Sequence, residues 1–505
     1  VLDHDHQLSV EAVIFDLDGT LIDSEPTYEK VDQEFVLSKG VLFGDTSWGN
    51  FAGIGGRAFV SRMKEEFGLS GDIDSLVAEK DELFMARADS VTPFPGVLEL
   101  VRYLYVHAIP MAIATSSRRV VLDTVLSHTG LDRYFQITLS TDDVRYPKPD
   151  PEIYLMSSRL LGVEPASCLV LEDSRYGVAA ATAAGMQVVA LPAADQDLSY
   201  FESASVIVDG GAARLDPHRV VERFGLAVPP AESTEVLQQV VARFHSVVYE
   251  HAALNPRPMP WRQTRDPYHI LVSEFMLQQT QVSRVIPRYH AFLRRFPTVE
   301  SLASASVSEV LTLWQGLGYN RRGKFLLEAA RQVVGRHGGL VPGETHELRA
   351  LPGVGAYTAS AVAAFAFLQP STVVETNIRR VVLHYFFAGC RGVAERSVEE
   401  VVAHLVDRED PRRWYYALMD YGSFLAAVVP NANRRSARYT VQSRFEGSLR
   451  QVRGQIVRAL TRAAPLDLRE LEREIGPTDE RFERAIQSLK ADGMLGEDRR
   501  GFFLP

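Results

Sequence analysis

Cysteine is scarce in this chain: Cys168 and Cys390 are the only two in 505 residues. That count excludes a disulfide framework. It also excludes any metal or iron–sulfur site that needs four cysteines. Long hydrophobic runs are missing too, and no stretch reaches the roughly 18 apolar residues of a membrane span. No basic–apolar–small signal peptide opens the sequence, and no internal repeat is visible. A cytoplasmic protein is the simplest expectation.

What is present is ordinary in bulk. Hydrophobic residues make up 46% and charged residues 23%, as in soluble globular proteins. The length suggests about three domains. The net charge of -10 hides an asymmetry. Residues 1–230 carry 18 Lys and Arg against 35 Asp and Glu, a formal -17, whereas residues 231–505 carry 36 against 29, a formal +7. The first part should repel nucleic acid, and the second has the sign that attracts phosphate backbones.

The pattern along the chain also changes. Up to about residue 228, short β-branched runs alternate with amphipathic stretches. The runs are Glu11–Phe15, Pro110–Ala114, Cys168–Leu171, Gln187–Leu191 and Ser205–Val208. This alternation predicts a parallel sheet covered by helices, a Rossmann-like α/β domain over residues 8–228. A helical insertion at about 24–92 reads as a cap. Residues 229–234 fall in a Pro-Pro, small-residue stretch that reads as a linker. From 235 to 445 amphipathic helices dominate. Residues 446–505 read as three helices, Arg450–Ala463, Asp467–Ile475 and Asp479–Met494, then a hairpin over Leu495–Leu504. That order suggests a small winged-helix-like tail.

The α/β part places chemistry at four strand ends. The first strand runs into Asp16-Leu17-Asp18-Gly19-Thr20, two carboxylates at i and i+2 on a tight turn. One carboxylate suits attack on phosphorus while its neighbour moves protons. A later strand ends in Thr115-Ser116-Ser117, hydroxyls and amides suited to phosphate oxygens. Lys148, in Tyr146-Pro147-Lys148-Pro149, is placed to neutralise charge. Another strand ends in Glu172-Asp173-Ser174, hard oxygens that suit Mg²⁺. Alone, the first three pieces have commoner explanations as a turn, a cap or a surface charge, and the Glu-Asp pair is evenly balanced. The four in this order resemble the haloacid-dehalogenase superfamily, in its phosphatase and phosphoglucomutase-like branch. The resemblance implies that Asp16 is the nucleophile and Asp18 the acid/base. It further implies that Thr115, Ser116 and Lys148 hold the phosphoryl group, and that Asp16, Asp18, Glu172 and Asp173 serve a Mg²⁺ site. Tyr28 stands where the β-phosphoglucomutase pattern has a histidine, which favours a phosphatase over a mutase. A small phosphorylated sugar, polyol or glycolate is the expected substrate class.

In the helical part, Leu351-Pro352-Gly353-Val354-Gly355-Ala356-Tyr357-Thr358-Ala359 lies between two helical patterns. Its glycines allow a tight hairpin whose amides face a DNA phosphate at a helix N-terminus. Glu274 sits in an apolar helical stretch, where its carboxyl would titrate high and suit a general acid; taken alone, a Glu on the wet face of the helix is the commoner reading. Glu375 follows a short apolar run in Val373-Val374-Glu375-Thr376-Asn377; it suits either a developing sugar cation or a helix N-terminus. With Pro260-Trp261-Arg262, Met276 to Val282 and Trp314-Gln315-Gly316-Leu317-Gly318-Tyr319, the set resembles the endonuclease-III-like helix-hairpin-helix glycosylases, most of all their adenine-specific (MutY-type) branch. That resemblance implies excision of a base flipped from double-stranded DNA. Glu274 would protonate the base, Glu375 would face the sugar, Asn377 would orient Glu274, and Gln279 would fill the gap. Gly353, Gly355 and Tyr357 would complete the DNA-binding set, and Tyr357, standing where bifunctional relatives carry a lysine, implies little strand cleavage. Nucleoid association would follow if the source is bacterial.

Three departures qualify this resemblance. Glu375 replaces the family's aspartate. The four cluster cysteines are absent, and their places fall on Ala426, Asn433, Ser436 and Gln442; a cluster-free variant is expected, with Asn431 to Arg450 supplying packing and Arg–phosphate contacts instead. Finally, the second recognition domain that reads 8-oxoguanine is missing. Two other readings remain for this half: removal of thymine or uracil opposite guanine, or a silent DNA-binding module. The two halves serve either one repair pathway or unrelated reactions.

Overall fold

The computed structural model describes residues 10–41, 56–227, 234–440, 446–476 and 480–505. The linker expected at 229–234 lies outside the described residues except for Thr234, which begins a helix. Two compact units form. One comprises residues 1–247 with 383–391 and 424–432; the other comprises 248–382, 392–423 and 433–505.

The first unit is built on six strands: Ala12–Phe15 (β1), Met111–Ala114 (β2), Ile137–Leu139 (β3), Cys168–Glu172 (β4), Gln187–Ala190 (β5) and Val206–Ile207 (β6). Their order is β3-β2-β1-β4-β5-β6, and every pairing is parallel. β1, β2 and β4 are buried along their whole length. Burial on both faces explains why they read as continuous apolar runs and not as alternating ones. The five expected strands all form. β3 was not expected, because three residues, two half-buried and one buried, leave no periodicity to read.

The strand order also locates a crevice. The chain goes from β1 outward to β2 and β3, then returns to β4 on the other side of β1. Successive connections therefore diverge between β1 and β4, and a parallel sheet opens at its carboxyl edge there. The inserted cap consists of Glu25–Ser38 (α1), Gly56–Phe67 (α2) and Ile73–Met85 (α3). It has its own core of Phe35, Phe59, Val60 and Met63. A two-stranded ribbon, Ile22–Asp23 against Thr92–Pro93, forms its stem.

The helical unit contains Pro267–Leu277 (α4), Val282–Arg295 (α5), Val307–Trp314 (α6), Arg321–His337 (α7) and Ala356–Phe367 (α8), with Thr376–Phe386 (α9) and Pro411–Val428 (α10) running on from it. Asp266 starts α4 by accepting from the Tyr268 and His269 amides, and Pro267 fills the first turn. Eight of the eleven residues of α4 are buried, so this helix runs through the interior and not along the surface. Gly353 is irreplaceable for two reasons. Its φ is +75°, and a Cβ would stand 2.6 Å from Phe325 Cβ and 2.9 Å from Phe275 Cε1. Gly422 on α10 faces a similar limit: a Cβ there would meet the Asn377 carbonyl oxygen at 2.3 Å.

The tail folds as Leu449–Arg462 (α11), Leu468–Ile475 (α12) and Glu480–Ala491 (α13), then Gly496–Asp498 (β7) against Gly501–Phe503 (β8). Those are the expected three helices and hairpin. No helix among the described residues is long and apolar enough to cross a membrane.

Candidate active sites

Asp16 follows β1 directly, and Glu172 ends β4, so both flank the crevice that the strand order creates. Lys148 joins them. Its Nζ lies 2.6 Å from Asp16 Oδ1, 2.6 Å from Glu172 Oε1 and 2.9 Å from the Ala114 carbonyl at the end of β2. The lysine side chain is almost fully buried. Two carboxylates and one carbonyl hold it cationic, well above the usual lysine range despite burial. Tyr154 donates to Glu172 Oε1 at 3.0 Å, and the Ser174 amide and hydroxyl donate to Glu172 Oε2. Gly177 is required beside them, because a Cβ there would overlap the Glu172 carboxylate.

Asp16, Glu172 and Asp173 can bring one oxygen each within 4.8 Å of one another. Burial raises the Asp173 carboxyl well above the carboxylate range, and the neighbouring Glu172 and Asp16 charges add to the rise. Three clustered carboxylates with a single lysine are short of positive charge, and hard oxygens at this spacing fit a divalent cation. Asp18 does not belong to that trio. Its Oδ2 accepts from Ser117 Oγ at 2.5 Å, and its buried Oδ1 has no partner. Burial raises its carboxyl as well, opposed by the bonds from Ser117 and Ser24.

Thr115 is buried at the end of β2, with its Oγ1 accepting from the Ser117 amide at 3.0 Å, while Ser116 is exposed. Tyr28 stacks on Phe84 at 4.2 Å between ring centroids and hydrogen-bonds Ser117, which places a phenol near Asp18. Ser117, Tyr154 and Ser174 were not singled out from the sequence. Ser117 and Ser174 did stand inside quoted motifs; Tyr154, six residues beyond Lys148, gave no signal.

The helical unit brings together Glu274, Tyr357 and Glu375. Glu274 projects from buried α4 and is 3% exposed. Burial pushes its carboxyl up to about 7, against a hydrogen bond from Tyr357 that pulls it down and a smaller push from Glu375. Its Oε2 has no partner. Glu375 Oε1 accepts from the Asn377 amide at 2.7 Å and the Ile378 amide at 2.8 Å, so it caps α9. Burial raises its carboxyl, and those two amides work in the opposite direction. Of the two sequence readings of Glu375, this is the helix N-terminal one.

Asn377 departs from expectation. Its Oδ1 accepts from Arg380 Nη1 at 2.7 Å, and that guanidinium also donates to the Gly422 carbonyl at 2.6 Å. Asn377 is thus tied to its own helix and to α10, and the hydrogen bond to Glu274 comes from Tyr357 instead. The close approach at Gly422 leaves the amide side chain in that arrangement. Gln279 is exposed in the turn after α4, with a left-handed φ of +54°. Gly353 and Gly355 are exposed in the hairpin, and Gly355 caps α8.

A cavity of about 540 Å³ opens nearby, bordered by Tyr249, Arg257, Arg262, Arg412, Tyr416 and Asp420. Arg262 grips Asp420 through two bonds of 2.6 and 2.9 Å, and Arg257 adds a third at 3.2 Å. The Tyr416 hydroxyl and Arg262 Nε are buried without partners. Arg262 was read only as part of a motif, and Tyr416 and Asp420 carry no local signal, since a polar residue on a helix shows its burial only after packing. At the places of the missing cysteines, Asn433 is buried and donates to the Thr376 carbonyl at 3.1 Å. Ser436 is buried in a bridge to Val393. Ala426 is exposed, and Gln442 lies outside the described residues.

Comparison with known proteins agrees with this division. Residues 13–191 match the haloacid dehalogenase-like hydrolase family, and residues 272–404 match the HhH-GPD superfamily of base excision DNA repair proteins. The adenine DNA glycosylase of Mycolicibacterium smegmatis is 35% identical over 273 residues, which is 50% of this chain and 92% of that protein. The bifunctional riboflavin kinase/FMN phosphatase of Arabidopsis thaliana is 30% identical over 198 residues, 39% of this chain and 52% of that protein. Among solved structures, CbbY from Rhodobacter sphaeroides in complex with phosphate is 25% identical, with a TM-score of 0.37 or less across this group and 0.36 for itself; the match covers 40% of this chain and 95% of that one.

Proposed function

Because the chain belongs, through its C-terminal half, to the adenine DNA glycosylase family and carries a haloacid dehalogenase-like hydrolase domain ahead of it, we propose that one polypeptide performs two reactions: magnesium-dependent hydrolysis of a small phosphate monoester, and monofunctional excision of adenine from mispaired double-stranded DNA.

Excision rests on Glu274. Its carboxyl titrates near 7 in a buried helix, and its free oxygen has no partner inside the protein. Such a group keeps its proton near neutrality and delivers it to a base nitrogen as the glycosidic bond breaks. Glu375, held by two amides at the start of α9, supplies charge opposite the oxocarbenium-like sugar. Tyr357 donates to Glu274 and offers no amine for a Schiff base, so strand cleavage is not part of the reaction. Gln279 enters the gap left by the flipped base, and the Gly353–Gly355 hairpin takes a backbone phosphate through its amides. No iron–sulfur cluster is needed in this reading, because Asn433 and Ser436 close the fold at two of its places.

Hydrolysis rests on Asp16, a member of the acidic trio at the crevice that also pairs with Lys148. Asp16 attacks phosphorus and becomes the aspartyl-phosphate, and Asp18 handles the protons of the leaving group and of water. Lys148, Thr115 and Ser116 bind the phosphoryl oxygens. Asp16 and Asp173, with Glu172 behind them, would hold Mg²⁺, which offsets phosphate charge when bound. The phenol of Tyr28 beside Asp18 suits a hydrolase acting on a small polyol, sugar or glycolate phosphate. The deciding experiment incubates the purified chain with duplexes carrying every mispair and common oxidised bases, and in parallel with aryl and small-metabolite phosphates with and without Mg²⁺.

A further inference from the structure

A single buried guanidinium joins the parts of the helical unit that excision relies on. Arg322, in the first turn of α7, is 8% exposed. Its Nη1 donates to the carbonyls of Phe275 (2.8 Å), Met276 (3.1 Å) and Gln278. Its Nη2 donates to Thr280 Oγ1 (2.9 Å) and to the carbonyls of Leu317 and Gly318 (3.0 Å each). The Thr280 hydroxyl continues the chain by donating to the Leu317 carbonyl at 3.0 Å. All six acceptors are neutral. Burying a cation without a carboxylate partner is costly, so this arrangement does more than fill space.

The acceptors fall into two groups. Phe275 and Met276 stand in the last turn of α4, where carbonyls lack helical partners; Arg322 therefore caps the helix end immediately after Glu274. Gln278, Thr280, Leu317 and Gly318 belong to two separate turns. Each turn carries an exposed non-glycine residue with left-handed backbone, Gln279 at φ +54° and Tyr319 at φ +46°, the latter directly after the left-handed Gly316 and Gly318. Such conformations persist where the surroundings over-determine them. The fixed fork of a guanidinium can serve both turns at once; a lysine ammonium cannot.

We propose that Arg322 is a positioning residue for base excision, locking both left-handed turns into one rigid edge so that Gln279 and Tyr319 meet the duplex together, in register with Glu274 on the helix it caps. This assignment rests on the glycosylase reading. It predicts that losing the guanidinium harms the opening of the duplex more than the chemistry that follows.

The test uses the full chain with Arg322→Lys and, as a milder cut in the same network, Thr280→Val. Single-turnover adenine release is measured on two duplexes: adenine in a mispair, and adenine opposite an abasic site, where the base leaves the stack easily. Thermal melting of each variant is recorded alongside. Arg322→Lys should slow release from the mispair by at least about tenfold, in line with the cost of small misplacements, and release from the abasic duplex by less than about threefold. Thr280→Val should show the same split at smaller size. Equal losses on both duplexes, or losses that follow the folded fraction, would make Arg322 a purely structural residue and overturn the assignment. An unaffected Arg322→Lys overturns it too, with the glycosylase reading intact. A wild-type chain that releases adenine from neither duplex defeats that reading and this assignment together.

Discussion

The Tyr357 hydroxyl donates a hydrogen bond to the Glu274 carboxyl, whose second oxygen is buried and without a partner. Glu274 Oε2 is thus left for whatever enters. Burial raises the carboxyl to about 7, and Tyr357 restrains the rise.

Glu274→Gln should lower adenine release at least about a hundredfold, the usual scale for loss of a general acid, while binding to the same duplex changes little. Single-turnover release and a binding titration on one protein preparation separate the two. Base release that survives the change would mean another group supplies the proton.

The same substitution should stabilise the protein at alkaline pH. The folded-state carboxyl titrates near 7 against an ordinary 4.5, so its ionisation opposes folding. The penalty is absent below the unfolded value, grows between the two, and is complete above 7, at about 3 kcal/mol at most. Glu274→Gln should accordingly raise Tm at pH 8 and leave it nearly unchanged at pH 4. Equal shifts at both pH values would refute burial as the cause.

For activity, release by wild type should fall as pH rises through about 7, because the acid form is the reactive one. Tyr357→Phe removes a bond that favours the carboxylate, so the fall should move to higher pH. A limb that stays in place, or moves down, would show that the phenol does not govern Glu274.

The outline of the fold and the acid residues of both sites were legible in the sequence, for a common reason. Asp16, Glu172 and Asp173 stand at the ends of apolar strands, and Glu274 interrupts an apolar helix. A charge beside a hydrophobic run is visible without knowing the packing. What was hidden depends on contacts between distant segments. Tyr154 reaches Glu172 across 18 residues, Arg322 reaches Phe275 across 47, and Asp420 reaches Arg262 across 158. The partner of the Asn377 side-chain oxygen was hidden as well: it is Arg380, beside Gly422, where two helices come too close for any side chain on the glycine.

At the other site, Asp16→Asn should abolish hydrolysis of an aryl phosphate, and chelation of Mg²⁺ should do the same for wild type. Asp16 also pairs with Lys148 at 2.6 Å, so a melting curve of the variant is needed to exclude misfolding. Persistent turnover by a folded Asp16→Asn protein would rule out the aspartyl-phosphate route.

DNA binding by the full chain should weaken steeply with added salt, since residues 231–505 carry the +7 balance. A mobility-shift series on a fixed duplex measures the slope. Salt-independent affinity would show that phosphate contacts contribute little.

Gly422 carries a different kind of consequence. A methyl group there would strike the Asn377 carbonyl, which belongs to the same short segment as the Glu375 cap. The position is thus closed to mutational drift: every amino-acid replacement adds at least that methyl and pries α9 away from α10. Any replacement at 422 should therefore weaken excision, although the glycine itself carries no functional group.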